Sequence, residues 1–180
     1  MAKPLSPGRA ASGEAARDAA LRMLARGPRT EHEIATWLAE RGYEPGAVRE
    51  AVERLLRVGL VDDRAFVRSF VRRELLRRAE SGRLLQSKLR LRGVARALVE
   101  DLDAVIAEDP DLDAEELAGE EGRARRALSQ ISGRVRARDP RERLRRLGQA
   151  LARRGFGWDV IRDLLTDEEP RGGVHAEDEQ

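Results

Sequence analysis

The chain has 180 residues, a formal net charge of +2 and no cysteine, with 38% charged and only 3% aromatic residues. This excludes disulfides, thiolate chemistry and cysteine metal sites, and it leaves too few aromatics for a large aromatic core. The apolar residues are mainly Ala, Leu and Val and proline is rare between Pro4 and Pro170, which predicts an all-α fold rather than a sandwich or barrel.

Residues 1–12, MAKPLSPGRAAS, read as a flexible tail. A helix follows from about Glu14 to Arg26, with Ala16, Ala20, Leu21 and Leu24 on one face, and Gly27-Pro28 ends it. Thr30 with Glu33 three residues on forms a capping-box pattern, opening a helix that buries Ile34, Trp37 and Leu38 and stops at Gly42. Pro45 suits the first turn of a third helix with Val48, Val52, Leu55 and Leu56 inward. These elements make a unit over residues 13–61.

Asp62-Asp63 then reads as a helix cap rather than a metal or catalytic pair. In the helix that follows, Phe66, Val67, Phe70, Val71 and Leu75 take one face and Arg68, Arg72 and Arg73 the other. Ser81-Gly82 breaks it. Leu84, Leu85 and Leu89 carry a short helix to Gly93, and Leu98, Leu102, Val105 and Ile106 carry the next to Asp109-Pro110, so a second unit spans 62–109. The third unit, 110–166, begins with an acidic lead-in and an Asp113/Glu116 capping box before Ala124, Leu128 and Ile131. Asp139-Pro140 with Glu142 starts a helix lined by Leu144, Leu147 and Leu151 that ends at Gly155. Val160, Ile161, Leu164 and Leu165 line the last helix, and residues 167–180 read as an acidic disordered tail.

Three helices thus occur three times, and the units share a corner. Gly42, Gly93 and Gly155 lie 51 and 62 residues apart, each preceded by Arg and followed by a large residue: Tyr43, Val94, Phe156. Glycine there can take the left-handed conformation while the next residue folds back to seal the turn. Such units stack because none buries its apolar face alone, giving an elongated curved body.

Charge is segregated along the chain. Residues 64–96 hold eleven basic side chains against Glu74 and Glu80, while 100–121 hold eleven acidic ones and no basic one. Residues 133–154 hold nine arginines against Asp139 and Glu142. Blocks of this kind meet charged partners or pair with one another.

With the units laid out, four ordered stretches carry a family resemblance: AALRMLARGPRTEHEIATWLAERGY, GLVDDRAFVRSFVRRELLRR, SGRLLQSKLRLRGV and DPRERLRRLGQALARRGFGWDVIRDLL. Together they resemble the RecX family of bacterial recombinase regulators over most of residues 16–165. The resemblance implies tandem three-helix repeats and a protein that binds the RecA filament on DNA. It further implies limits on filament extension, ATP hydrolysis and strand exchange, and so a role in DNA repair, recombination and the SOS response. The acidic stretch AEDPDLDAEELAGEEGRA and the acidic tail depart from the family pattern, which bears on contacts between the second and third units.

If the partner is a polyanionic filament, arginine forks suit both its carboxylates and its phosphates. The candidate basic face is Arg68, Arg72, Arg73, Arg83, Lys88, Arg90 and Arg92 in the second unit, and Arg141, Arg145, Arg153 and Arg154 in the third. Phe66, Phe70, Phe156 and Trp37 read as core, whereas Trp158 is open between packing and stacking on bases. No Gly-rich phosphate loop, nucleophile–base pair or ligand cluster is present, so neither catalysis nor a cofactor or metal is expected. His32 and His175 read as neither ligand nor base. No apolar run approaches the ~18 residues of a membrane span and no signal-peptide segment is evident, so a cytoplasmic protein, expected as a monomer, is the reading. Direct contact with single- or double-stranded DNA remains open. Residues 30–63 also outline the start of a winged-helix transcription regulator, although the next stretch has a helical period where a wing would need strands. A third reading is a chaperone of single-stranded nucleic acid, held through arginine clusters alone.

Overall fold

The computed structural model describes residues 6–117 and 119–166, and every regular element among them is an α-helix. The first unit comprises α2 (Gly13–Leu24), α3 (Glu31–Glu40) and α4 (Pro45–Arg57), preceded by one turn, α1 (Pro7–Ala10). The second comprises α5 (Asp63–Arg78), α6 (Gly82–Leu91), α7 (Arg96–Glu100) and α8 (Leu102–Ala107). The third comprises α9 (Ala114–Leu117), α10 (Gly119–Ser132), α11 (Pro140–Ala152) and α12 (Trp158–Thr166).

The caps follow local chemistry. Thr30 and Glu33 form the capping box in full, and the side chains of Asp62, Ser81 and Asp139 each accept from backbone N–H groups at the starts of α5, α6 and α11. Pro45 and Pro140 occupy first-turn positions, where a missing N–H has no cost.

The structure departs from the sequence reading of the fold in three places. Residues 7–10 are helical rather than part of a flexible tail, and the Ala10 carbonyl accepts from Glu44 N at 2.9 Å. The last helix of the second unit divides at Asp101 into α7 and α8, so Val99, Leu102, Val105 and Ile106 still reach the core. Leu21 and Leu56, expected inward, are 36% and 38% exposed. Their place between α2 and α4 is taken by Ala16, Ala19, Ala20, Ala47 and Ala51, which let the two helices approach closely. As the helical period of the next stretch implies, no wing follows α4: α5 begins directly after Asp62, and no strand occurs among the described residues, which counts against the winged-helix reading. The expectations for residues 1–5 and 167–180 lie outside the described residues.

The three corners are the same object. At each, the glycine N–H bonds three residues back and the next N–H bonds five back: Tyr43 N to Leu38 O, Val94 N to Leu89 O, Phe156 N to Leu151 O, at 3.3, 3.2 and 3.4 Å. This is the Schellman pattern, and all six residues it joins are buried. The glycines have φ of +85°, +72° and +89°.

Each later corner docks on the start of the second helix in the unit before it. The Arg92 carbonyl accepts from Thr30 Oγ1 at 2.7 Å, and the Arg154 carbonyl accepts from Ser81 N at 3.0 Å. Thr30 and Ser81 are equivalent N-caps, of α3 and α6. The fit leaves no room for a side chain: a Cβ at Gly93 would overlap His32, and one at Gly155 would overlap Ser81 Oγ and lie 3.0 Å from Leu84 Cβ. Gly42 has open space around it.

The units do not share one core. Residues of the first unit, with Val61, form one apolar cluster, and those of the second and third form another, from Phe66 to Leu164. Polar groups bridge the seam between the two clusters. Besides Thr30, Glu31 N donates to Asp63 Oδ1 at 2.9 Å, and Arg92 lies 3.4 Å from Glu33 Oε1 with its guanidinium over the Phe66 and Phe70 rings.

These contacts separate two costs of a side chain at a corner. Gly42→Ala should cost about 1–2 kcal/mol, the left-handed backbone alone, and Gly93→Ala about 3–4 kcal/mol, because His32 must also be displaced. Urea unfolding should further show that His32→Ala recovers part of the Gly93→Ala loss and none of the Gly42→Ala loss.

Candidate functional site

The eleven predicted basic residues fall into distinct environments. On α5, Arg72 lies 3.5 Å from the buried Asp109 carboxylate and also pairs with Asp111, and Arg73 sits beside Glu74 at 3.5 Å with its guanidinium over Phe70. Arg68 is half-buried, near enough to Glu108 to help hold that carboxyl below its usual range, an effect due mainly to a hydrogen bond from Arg64. Lys88 bridges Glu74 at 2.7 Å and the buried Glu80 at 2.5 Å. Burial works against both charges of the Lys88–Glu74 pair, yet their mutual hydrogen bonds win, so the Glu74 carboxyl is lowered and the Lys88 ammonium raised. Arg92 belongs to the seam, and Arg145 lies 2.7 Å from Glu142.

Arg154 is a correction. Its position before the corner glycine matches Arg41 and Arg92, but its side chain is buried, with only 7% of the residue exposed, and it is closed to a partner. The guanidinium donates to Ala79 O at 3.3 Å, Ala127 O at 3.4 Å and Gln130 Oε1 at 2.8 Å. Ala79 is the C-cap of α5, so the cation rests against the negative end of that helix rather than a carboxylate. Burial pushes its pKa down, with Arg78 and Arg134 adding to the effect and Glu80 opposing it.

Arg83, Arg90, Arg141 and Arg153 remain exposed and outside any ion pair among the described residues. The sequence reading passed over Arg78 and Arg134, which are exposed and flank Arg154. Their signal lay in the tertiary fold, because Arg154 bonds to Ala79 and Gln130, one and four residues from them.

The acidic stretch pairs within the molecule. Glu108 meets Arg64, Asp109 and Asp111 meet Arg72, Asp103 and Glu120 meet Arg123, and Glu116 meets Arg126. Glu120 also accepts from Gly82 N at 2.9 Å, tying α10 to the start of α6. Three of these contacts, Arg72 with Asp111, Arg123 with Asp103 and Gly82 N with Glu120, fasten the second unit to the third.

Phe66, Phe70 and Phe156 are buried, while Trp37 is half-buried under the Arg41 guanidinium at 3.5 Å. Trp158 is 65% exposed and lies beside Gly148 at the edge of a groove between α11 and α12. Asp62 caps α5 as expected, and Asp63 instead reaches the start of α3. Among the described residues, no group of three or more His, Asp or Glu side chains is placed to hold a metal ion.

Comparison with known proteins adds the decisive observation. A protein of Halorhodospira halophila described as regulatory protein RecX is 40% identical over 168 residues, covering 92% of this chain and 97% of its own. The chain belongs to the RecX family. Residues 16–55 match the model of the RecX first three-helix domain, and residues 120–165 that of the third. A RecX protein of Mycolicibacterium vanbaalenii is 35% identical over 87% of this chain and 83% of its own. The crystal structure of RecX from Lactobacillus salivarius superposes with a TM-score of 0.65 at 18% identity, covering 86% of this chain and 95% of that one, a likeness of fold. No helix among the described residues is long and apolar enough to cross a membrane.

Two measurements test the environments described. Arg154→Ala removes a buried side chain's bonds to Ala79 O, Ala127 O and Gln130 Oε1, the last of which keeps the Ala79 N–H, and should cost about 2–3 kcal/mol, whereas Arg153→Ala should change stability by less than about 0.5 kcal/mol. Because the folded Glu74 pKa lies below its unfolded value near 4.5, its stabilisation is present above that pH and is lost as pH falls through the folded value. Glu74→Gln should therefore lower the urea midpoint at pH 7, and the difference from the parent should close as the pH falls through the folded Glu74 value.

Proposed function

We propose that this protein is a negative modulator of RecA that binds the RecA–DNA filament and limits its extension, and with it ATP hydrolysis and strand exchange. The single observation carrying this reading is the 40% identity to a regulatory protein RecX across nearly the whole of both chains. In this reading the protein acts stoichiometrically, by binding rather than by chemistry of its own, and influences DNA repair, recombination and the SOS response.

The physical features of the chain support the reading. Stacked three-helix units spread the exposed arginines along one molecule instead of gathering them in a pocket. That layout suits a long, regularly charged partner and gives many weak contacts in place of one deep site. The contact set in this reading is the part of the basic face that no carboxylate engages among the described residues: Arg68, Arg83, Arg90, Arg141 and Arg153. Arg72, Arg73, Lys88, Arg92 and Arg145 serve the fold first, since each is engaged by a carboxylate.

The test is RecA ATPase and strand exchange on single-stranded DNA, with the purified protein titrated from well below to above the RecA concentration. Both rates should fall at ratios below one protein per RecA subunit. Unchanged rates at excess protein would overturn the proposal.

A further inference from the structure

The chain carries two acidic blocks, and the contacts described so far engage only one of them. Carboxylates of residues 100–121 pair with arginines on neighbouring helices, as Glu108 does with Arg64 and Asp103 with Arg123. The second block lies beyond the described residues. Residues 167–180 hold six carboxylates in two trios, Asp167-Glu168-Glu169 and Glu177-Asp178-Glu179, against the single Arg171.

A basic block of similar size is left over in the third unit. Seven arginines stand between Arg134 and Arg146, against Asp139 and Glu142. Both of those carboxylates are already committed. Asp139 caps α11 by accepting from Arg141 N and Glu142 N, and Glu142 takes Arg145 and Arg146. Arg134, Arg136, Arg138 and Arg141 are exposed, and none makes an ion pair among the described residues. The linker that carries the first three is pinned to α11: Arg143 Nη2 donates to Ser132 O at 3.3 Å, and Arg146 Nη1 to Arg136 O at 3.0 Å. These cations therefore stand at fixed places on the surface.

The tail leaves the fold beside them. Thr166, the last residue of α12, lines a groove together with Leu144 and Arg145 of α11. Arg141 lies one turn, about 6 Å, before Arg145 along that helix. The first acidic trio follows Thr166 directly, and the second begins ten residues after the first, a reach of at most ~35 Å.

We infer that residues 167–180 are an intramolecular ligand of the arginines in the linker between α10 and α11, Arg134, Arg136 and Arg138, together with Arg141. The chain's own tail masks this basic arm until a stronger polyanion displaces it. The inference goes beyond the modulator reading and uses no part of it.

Charge and tethering select this occupant. Each exposed ion pair contributes only ~0.2–1 kcal/mol, but a segment joined to its target a few residues away acts at an effective concentration on the order of millimolar. Several weak pairs then suffice. The tail offers no aromatic or leucine to fill a pocket, and Val174 is its largest aliphatic residue. Its contact is electrostatic, and salt must release it. The 100–121 block supplies the precedent within the same molecule, an acidic stretch engaged by arginines of its own chain.

The experiment uses the whole protein. Because the chain has no cysteine, Val174→Cys provides a single attachment point for a nitroxide, which broadens the amide NMR signals of residues near it. At low salt the signals of Arg134, Arg136, Arg138 and Arg141 should lose about half their intensity or more relative to those of the first unit, and should recover by about 0.5 M NaCl. With the six tail carboxylates replaced (Asp167→Asn, Glu168→Gln, Glu169→Gln, Glu177→Gln, Asp178→Asn, Glu179→Gln) and the same label in place, the loss should disappear. Equal broadening with the neutralised tail would reveal mere proximity of a tethered label and overturn the contact. Broadening confined to other parts of the molecule would do the same.

Masking has its own measurement, with heparin as the polyanion. Neutralising the tail should tighten heparin binding about tenfold in the parent and less than about twofold in Arg134→Gln/Arg136→Gln/Arg138→Gln, since the tail then has little left to cover. Equal gains in the two backgrounds would mark a general effect of net charge and sink the masking role. Far-ultraviolet circular dichroism and the urea midpoint check that every variant keeps the parent fold.

Discussion

A backbone carbonyl offered by a left-handed corner to the N-cap of the preceding unit sets the arrangement of this molecule. The glycine has to be there twice over: it takes a φ that other residues resist, and it lets the corner approach a helix start with no Cβ between. The chain then leaves the corner at a fixed angle, and the next helix lies where its apolar face meets the previous unit. Thr30 with Arg92, and Ser81 with Arg154, are two instances of one contact. The core, the ion pairs and the exposed arginines all inherit their positions from it.

What lies beneath each corner differs, and the difference accounts for the uneven roles of the arginines that precede the glycines. Arg41 stacks on Trp37, Arg92 spans the seam to Glu33 over two phenylalanines, and Arg154 is sealed under the third unit. One sequence position thus yields a surface cation, a seam clasp and a buried strut. The carboxylates divide in a similar way. A block that looks like a single acidic surface is distributed among Arg64, Arg72, Arg123 and Arg126 on the neighbouring helices, so much of its charge is offset within the molecule.

Much of this was legible in the sequence, and the parts that were share a cause. Caps at Thr30, Asp62 and Asp139, the first-turn prolines and the three corners depend on residues within five positions of one another. The face of α5 was legible too, because Phe66, Val67, Phe70, Val71 and Leu75 follow the helical period. The exposure of Leu21 and Leu56 was not, since it depends on how closely five alanines let α2 and α4 approach. Nor was the burial of Arg154, whose partners stand 24 to 75 residues away. In a chain with so many arginines, which ones are free is decided by tertiary pairing, and local pattern carries no record of it.

The division into two apolar clusters has a consequence for how the molecule behaves as a body. The first unit holds to the others mainly through hydrogen bonds and one ion pair, contacts that water can replace at a net cost of about 1 kcal/mol each. The second and third units share apolar side chains that water cannot replace so cheaply. The chain is therefore two apolar blocks joined by a wettable seam, and the seam is where local opening costs least.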